Sequence, residues 1–178
     1  MENLRRQYND NVQKFKADFA DCSDFLLKEA ETGGRKCFFA VMDGLVDSLQ
    51  LGQMIMGPVL GAQVEACTPG EQFRQLMRTC VQSVELKEAK TFEDAYYYLM
   101  SGFCVFVLDG CPRAMVMGIQ GWTKRSTDEP ESESNVRGAK ECFVESVNDN
   151  KALLRKRMKT HHLKLRQIQL GTAAPTPV

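Results

Sequence analysis

Histidine, tryptophan and long apolar runs are scarce in this chain, and each shortage narrows the range of possible functions. Of 178 residues, only two are histidine and one is tryptophan. The longest apolar runs, 37–46 and 54–62, fall well short of the roughly 20 residues that a membrane-spanning helix needs. The first residues also lack the apolar core of a secretory signal. We therefore expect the chain taken alone to be soluble.

Net charge is absent as well, because 23 basic residues balance 23 acidic ones. Dedicated nucleic-acid binders carry a basic excess, so we expect no nucleic acid as a partner. The balance hides a local asymmetry, since 128–133 is acidic and 151–166 holds seven Lys or Arg and no acid. This basic segment is either a solvated helix face or a surface near anionic lipid.

No pattern of catalytic or metal-binding residues stands out. Nucleotide-binding, zinc-protease and serine-hydrolase motifs are missing. His161 and His162 are adjacent, and in a strand they would face opposite sides, which argues against a shared metal. Glu129 and Glu133 are read as an exposed acidic loop rather than an acid/base pair. We predict no enzyme, no cofactor and no metal.

Seven cysteines are present, an odd number with no CxxC pair. Without a secretory context, this pattern does not indicate disulfides or a zinc site. Most of them have apolar neighbours, so we expect buried free thiols in a reducing compartment.

Periodicity and capping residues predict alternating helices and strands in the first half. A helix spans 4–19, and a hairpin turns at Gly33 and Gly34. Asp47 should cap a helix that runs to about Gly57 and Pro58. Thr68, with a glutamate three residues on, should cap the next helix.

The second half is predicted in the same way. We expect a strand at 81–89, a helix at 91–102, strands at 103–110 and 113–119, a helix at 141–158 and a strand at 162–170. The helix at 141–158 is expected to bury Phe143, Val147, Leu154 and Met158.

Each half contains an apolar strand that ends in Asp-Gly, at 40–44 and at 105–110. We therefore predict an α/β (α+β) fold of two small mixed-sheet subdomains that face each other across a cleft. The first is 1–66, and the second is 67–170, with the alternative that its C-terminal strand returns to the first. Residues 171–178 are predicted to be a linker or the edge of an excised segment.

The only tryptophan lies in a polar stretch, the Gly121–Gly138 loop. Trp122 is followed by Arg125, Glu129, Glu133 and Arg137, which recur at intervals of four residues. Paired Arg and Glu side chains can clamp an irregular loop, and a tryptophan usually seeks burial. A disordered, solvated linker is the alternative, and composition alone leaves both open.

This loop also carries a family resemblance. The pattern GWxxRSxxEPxxExxVRG, followed by ExFxExxxxNxxLxRxR, resembles the GerA family of spore germination proteins. The Asp-Gly-Leu-Val-Asp stretch, Asp43–Asp47, agrees with the same family. The resemblance covers about residues 12 to 171.

The resemblance implies the N-terminal soluble region of a receptor A subunit, built of two α/β subdomains and a cleft similar to those of substrate-binding proteins. It implies B and C subunits as partners, self-association of A subunits, and a membrane part further along the chain. The location implied is the spore inner membrane, and we expect this region on the cytoplasmic face. Nutrients such as amino acids, sugars or nucleosides would start germination.

We predict a nutrient-sensing and signal-transmitting domain whose lobes open and close. The residues expected to bind ligand or clasp the lobes are Asp43, Asp47, Asp109, Trp122, Arg125, Glu129, Glu133, Arg137 and Glu145. For the three aspartates, helix capping or turn formation is the competing interpretation. Two other functions stay open: an oligomerisation and gating module that binds no small molecule, and a hydrolase, which the missing catalytic residues disfavour.

Overall fold

The structure of the chain is a computed structural model that describes residues 2–65, 68–79, 81, 85–121 and 143–172, with the backbone of 176–177. The helices are α1 (Tyr8–Asp18), α2 (Ser48–Gln50), a π-helix (Leu51–Met56), α3 (Gly57–Leu60), α4 (Pro69–Thr79), α5 (Phe92–Leu99) and α6 (Val147–Arg157). The strands are β1 (Phe25–Thr32), β2 (Arg35–Met42), β3 (Leu86–Ala89), β4 (Phe103–Leu108), β5 (Ala114–Gly118), β6 (Gln169–Leu170) and β7 (Thr176–Pro177).

Five strands form one antiparallel sheet in the order β1-β2-β4-β5-β3. β2 pairs with β4, and this pairing aligns Cys37 with Leu108 and Ala40 with Val105. The mixed α/β class is confirmed. Strands of both predicted subdomains lie in the same sheet, because the two apolar runs that end in Asp-Gly satisfy each other's backbone hydrogen bonds. The boundary at 66/67 itself stays a prediction.

The sheet is buried on both faces, which explains the continuous apolar runs of β2 and β4. Phe38 and Met42 of β2 face a core cluster that contains side chains of α1 and α5. Cys37 and Phe39 face a second cluster with side chains of α3 and α4. Alternate side chains of a strand point to opposite faces, so a strand covered on both sides must be apolar throughout.

The predicted hairpin and helix starts are present. β1 and β2 meet in a two-residue turn, and Gly33 and Gly34 both adopt positive φ there. Thr68 and Glu71 form a reciprocal capping box, with N–H to oxygen distances of 3.1 and 3.3 Å. Thr91 accepts a hydrogen bond from the Asp94 amide at the start of α5.

Three predicted elements differ from the structure. The helix that starts after Asp47 continues to Leu60, and its wider π-helical turn directly precedes Gly57 and Pro58. A proline has no N–H to donate, so a change of hydrogen-bonding pattern before it costs little. The strand expected at 162–170 is reduced to Gln169–Leu170, because carbonyls of the preceding segment accept hydrogen bonds from side chains and from the loop before β1.

The last helix also differs. It begins at Val147, capped by Ser146, rather than at 141. Phe143 precedes the helix and is 63% exposed, and Met158 is also exposed, so the predicted buried face is wrong. The buried side chains of α6 are Lys151, Ala152 and Arg155. Within the described ranges, no helix has the length and apolar character to cross a membrane.

Candidate functional site

The Asp-Gly-Leu-Val-Asp segment begins where β2 ends. The amide of Asp43 donates to the carbonyl of Asp24 at 2.7 Å, and Gly44 turns the chain with a positive φ of 79°. Asp47 then caps α2, because one of its carboxylate oxygens accepts from the amides of Leu49 (2.9 Å) and Gln50 (3.0 Å). The competing interpretation of Asp47 as a helix cap therefore holds in the structure.

This segment pairs with the chain that leads into the Gly121–Gly138 loop. The amide of Asp47 donates to the carbonyl of Ile119 at 3.0 Å, and the amide of Gly121 donates to the carbonyl of Leu45 at 3.3 Å. These two hydrogen bonds flank an antiparallel β-bridge between Val46 and Gln120. A Cβ added to Gly121 would lie 2.3 Å from the Cβ of Asp47 and 2.7 Å from its backbone. Only a glycine fits at this distance.

Two more elements meet the same segment. A Cβ on Gly102, just before β4, would lie 2.8 Å from the carbonyl oxygen of Leu45. A Cβ on Gly44 would contact the backbone of Asn148 and the side chain of Ala152 in α6 at 3.4–3.5 Å. We call this contact region the junction: 43–47, 119–121 and the α6 residues that face Gly44. It brings the Asp43–Asp47 stretch together with Gly121, where the loop pattern begins, and with α6, which carries the end of the family pattern.

A buried ion pair lies beside the junction, and sequence reasoning missed it. Arg155 of α6 donates to both carboxylate oxygens of Asp24, at 2.6 and 2.9 Å, and both side chains are fully buried. Burial alone would lower the pKa of Arg155, but the hydrogen bonds to Asp24 outweigh it, so the pKa is raised. This pair fixes α6 against the start of β1.

Arg155 also holds the segment that follows α6. Its remaining guanidinium nitrogen donates to the carbonyls of Thr160 at 3.2 Å and Leu163 at 2.8 Å. Ser23, the residue before Asp24, donates its amide N–H to the carbonyl of Leu165 at 2.8 Å. Arg155 was visible in the family pattern, but nothing in the sequence indicated that Asp24 was its partner.

Asp109 lies at the opposite end of the sheet. It follows β4, and its amide donates to the carbonyl of Lys36 at the start of β2. Lys36 lies near the start of β2, and Asp43 directly follows its last residue. The separation of seven residues between these positions corresponds to about 23 Å at the usual rise of a strand. The Asp109 carboxylate accepts from the amide of Tyr8 at 3.1 Å and so caps α1 from a distant part of the chain. The three aspartates do not converge on one ligand.

The remaining predicted site residues are mostly outside the described part of the chain. Trp122, Arg125, Glu129, Glu133 and Arg137 lie in 122–142, so the clasp that they were expected to form stays a prediction. Glu145 is described, and it is exposed just before α6.

The thiols that the structure describes are buried. Cys22, Cys37, Cys104 and Cys111 are free. Burial raises the pKa of the Cys37 thiol to about 12, and burial also raises the pKa of the Cys104 thiol. Such thiols are protonated at neutral pH and unreactive, which agrees with a packing role.

The two histidines lie in a turn rather than a strand, with ring centroids 4.1 Å apart. His161 also contacts Phe19 and Tyr96. Burial and the neighbouring His162 lower the pKa of His161, which favours its neutral form. Among the described residues, no group of three or more His, Cys, Asp or Glu could hold a metal ion.

Comparison with known proteins assigns the chain to a family. The model of the Bacillus/Clostridium GerA spore germination protein matches residues 13–178. The chain therefore belongs to the GerA family of spore germination proteins, as the loop pattern and the Asp43–Asp47 stretch predicted.

Individual relatives agree with this assignment. The chain is 31% identical to the uncharacterized membrane protein YfkQ of Bacillus subtilis over 88% of its length and 30% of that protein. It is 24% identical to spore germination protein KA of the same organism over 94% of its length and 31% of that protein. The chain thus spans less than a third of the length of these relatives.

A solved structure supports the fold. The N-terminal domain of the A subunit of the Bacillus megaterium spore germinant receptor GerK3 superimposes with a TM-score of 0.66 at 20% identity. The superposition covers 99% of this chain and 64% of that one. At this identity the likeness establishes the fold.

Proposed function

We propose that this chain is the N-terminal, membrane-extrinsic part of a germinant receptor A subunit, and that it takes part in nutrient sensing and transmits the response to the rest of the receptor. The family, the named relatives and the fold support the proposal. The partners would be the B and C subunits and further A subunits, and the location would be the cytoplasmic face of the spore inner membrane.

The junction is the observation that carries the signalling part of this proposal. The Asp43–Asp47 segment contacts the strand that enters the Gly121–Gly138 loop, and it contacts α6. Closely packed backbone has few ways to adjust, so a displacement of Gly121 would move the Asp43–Asp47 segment, which in turn contacts α6. A ligand or neighbouring subunit that contacts the loop would therefore act on the core of the domain.

The alternative is an oligomerisation and gating module that binds no nutrient itself. One observation favours it over nutrient binding by the aspartates. The carboxylates of Asp47 and Asp109 already accept backbone hydrogen bonds, and they lie at opposite ends of the sheet. Their capping roles leave them poorly placed to share one small molecule.

Spore germination tests the proposal in the whole receptor. Gly121→Ala in the full-length subunit should slow nutrient-triggered germination while the subunit remains present in the spore membrane. Gly52→Ala is the matched control, because an added Cβ there meets no atom within 4 Å. Normal germination of the Gly121→Ala spores, or of spores that lack the gene, would contradict a role in the response.

Thermal unfolding of the chain with amino acids, sugars and nucleosides separates the two modes. A bound nutrient raises the melting temperature according to its concentration over its dissociation constant. A concentration-dependent shift supports direct sensing, and no shift with any of these compounds supports the gating module.

A further inference from the structure

An open groove of about 710 Å³ lies at the Asp109 end of the sheet, far from the junction. This volume is within the range of small-molecule sites. We call it the cationic groove. Its lining comes from four segments of the chain and includes Arg6, Thr68, Gly70, Lys90, Gly110 and Arg113.

Backbone contacts between distant segments build this groove. Leu4 donates its amide to the carbonyl of Lys90, and Gly110 donates to Arg6, both at 2.9 Å. Gly110 has a positive φ of 82°, and a Cβ added to it would lie 2.7 Å from the Pro69 ring. The N-terminal segment, the β4–β5 turn and the first turn of α4 are therefore held in fixed positions around the groove.

The charges in the groove are all of one sign. Three of the lining residues are basic and none is acidic, although the whole chain is neutral. Arg113 is partnered, because it lies 3.0 Å from Glu88 and stacks over the Phe73 ring at 4.9 Å. Arg6 and Lys90 form no ion pair with any residue that the structure describes. Two basic residues that lack an ion-pair partner among the described residues therefore line the groove.

We propose that the cationic groove binds a small oxyanion, a carboxylate or a phosphate compound, through Arg6 and Lys90. Arginine and lysine bind such groups with charge-assisted hydrogen bonds. A Cβ on Gly70, in the first turn of α4, would meet no atom within 4 Å, so a ligand can approach the backbone there.

The lining residues favour an anion over other ligand classes. A free amino acid also carries an ammonium group, and no lining residue supplies a carboxylate to balance that charge. A sugar would gain nothing from two unpaired cations. A small oxyanion is thus a narrower class of ligand than the amino acids, sugars and nucleosides considered for the proposed function. The inference does not depend on that function.

Amide NMR of the 178-residue chain tests this inference, with sodium phosphate and sodium succinate titrated at constant ionic strength. We expect saturable shifts of the Gly70, Lys90 and Gly110 amides with at least one anion, and the anion that binds identifies the oxyanion type. Lys90→Gln together with Arg6→Gln should weaken binding about tenfold or more, because hydrogen bonds to charged groups are strong.

Lys28→Gln is the control, since it removes an exposed charge from β1, and Lys28 does not line the groove. It should leave the affinity unchanged. Three results would overturn the inference: no saturable shift with either anion up to about 20 mM, where a millimolar site would be filled; equal weakening by Lys28→Gln; or alanine or glucose binding as tightly as the anions. None of these results would contradict the proposed role in germination, because that role rests on the junction and not on the groove.

Discussion

The two ends of the central sheet differ in how their charged side chains are arranged. At the junction end, Arg155 and Asp24 are fully buried and pair through two hydrogen bonds. At the other end, Arg6 and Lys90 line an open groove and have no ionic partner among the described residues. The first arrangement fixes structure, and the second leaves charge available for a partner.

This contrast separates residues that hold the fold from residues that can bind. A buried charge must be neutralised within the protein, because transfer from water is costly. An exposed cation is solvated and keeps its full attraction for an incoming anion until salt screens it. Substitutions at the junction end should therefore change stability, whereas substitutions in the cationic groove should change binding.

The largest predicted effect is at the buried pair. Asp24→Asn keeps the side-chain shape but leaves the Arg155 charge unbalanced, so we expect a loss of about 3–5 kcal/mol in unfolding free energy. Urea denaturation followed by circular dichroism measures it.

Asp21→Asn is the matched control, three residues earlier in the same loop. Asp21 pairs with Arg166 at 2.8 Å, but both side chains are largely exposed. Its substitution should cost less than about 1 kcal/mol. Equal losses in the two variants would show that burial does not distinguish the pairs.

The pairing of Asp24 with Arg155 marks the limit of what the sequence could predict. The hairpin, the capping box at Thr68 and the caps at Asp47 and Thr91 depend on residues within four positions, and all are present. The face of α6 depended on a partner 131 residues away, so apolar periodicity selected the wrong side chains.

The candidate site was predictable only in part, for the same reason. The family pattern identified Gly121 and the Asp43–Asp47 segment, but not that they touch. The apolar strands that end in Asp-Gly were recognised, but their antiparallel pairing places Asp43 and Asp109 at opposite ends of the sheet. The cationic groove had no signature, because its lining residues come from four separate segments.

A second prediction tests how closely the junction is packed. Gly121→Ala places a Cβ against the backbone of Asp47, so neighbouring backbone must move, and we expect a loss of about 1–3 kcal/mol. Gly52→Ala adds the same atom in open space and should be neutral or slightly stabilising. Thermal denaturation of both variants measures the difference. A neutral Gly121→Ala would mean that the junction adapts freely and transmits little.

The third prediction compares the two capping aspartates. Asp47→Ala and Asp109→Ala each remove an acceptor for backbone amides at a helix start, and each should cost about 1 kcal/mol. Hydrogen exchange should show the local difference: α1 opens more often in Asp109→Ala, and α2 in Asp47→Ala. If either aspartate instead binds a ligand, its alanine variant should lose a nutrient-induced shift without this local opening.

The smallest predicted effect is a pH dependence at the junction end. Burial and the adjacent His162 lower the pKa of His161 in the folded chain, whereas in the unfolded chain it stays near its ordinary value of about 6.5. As the pH falls through that value, the unfolded chain takes up more protons than the folded one, so stability decreases. His161→Gln should flatten the decrease in melting temperature between about pH 7.5 and 5.5. His162→Gln, which keeps the contacts of His161 with Phe19 and Tyr96, should retain most of it. An unchanged pH profile in His161→Gln would assign the decrease to other groups.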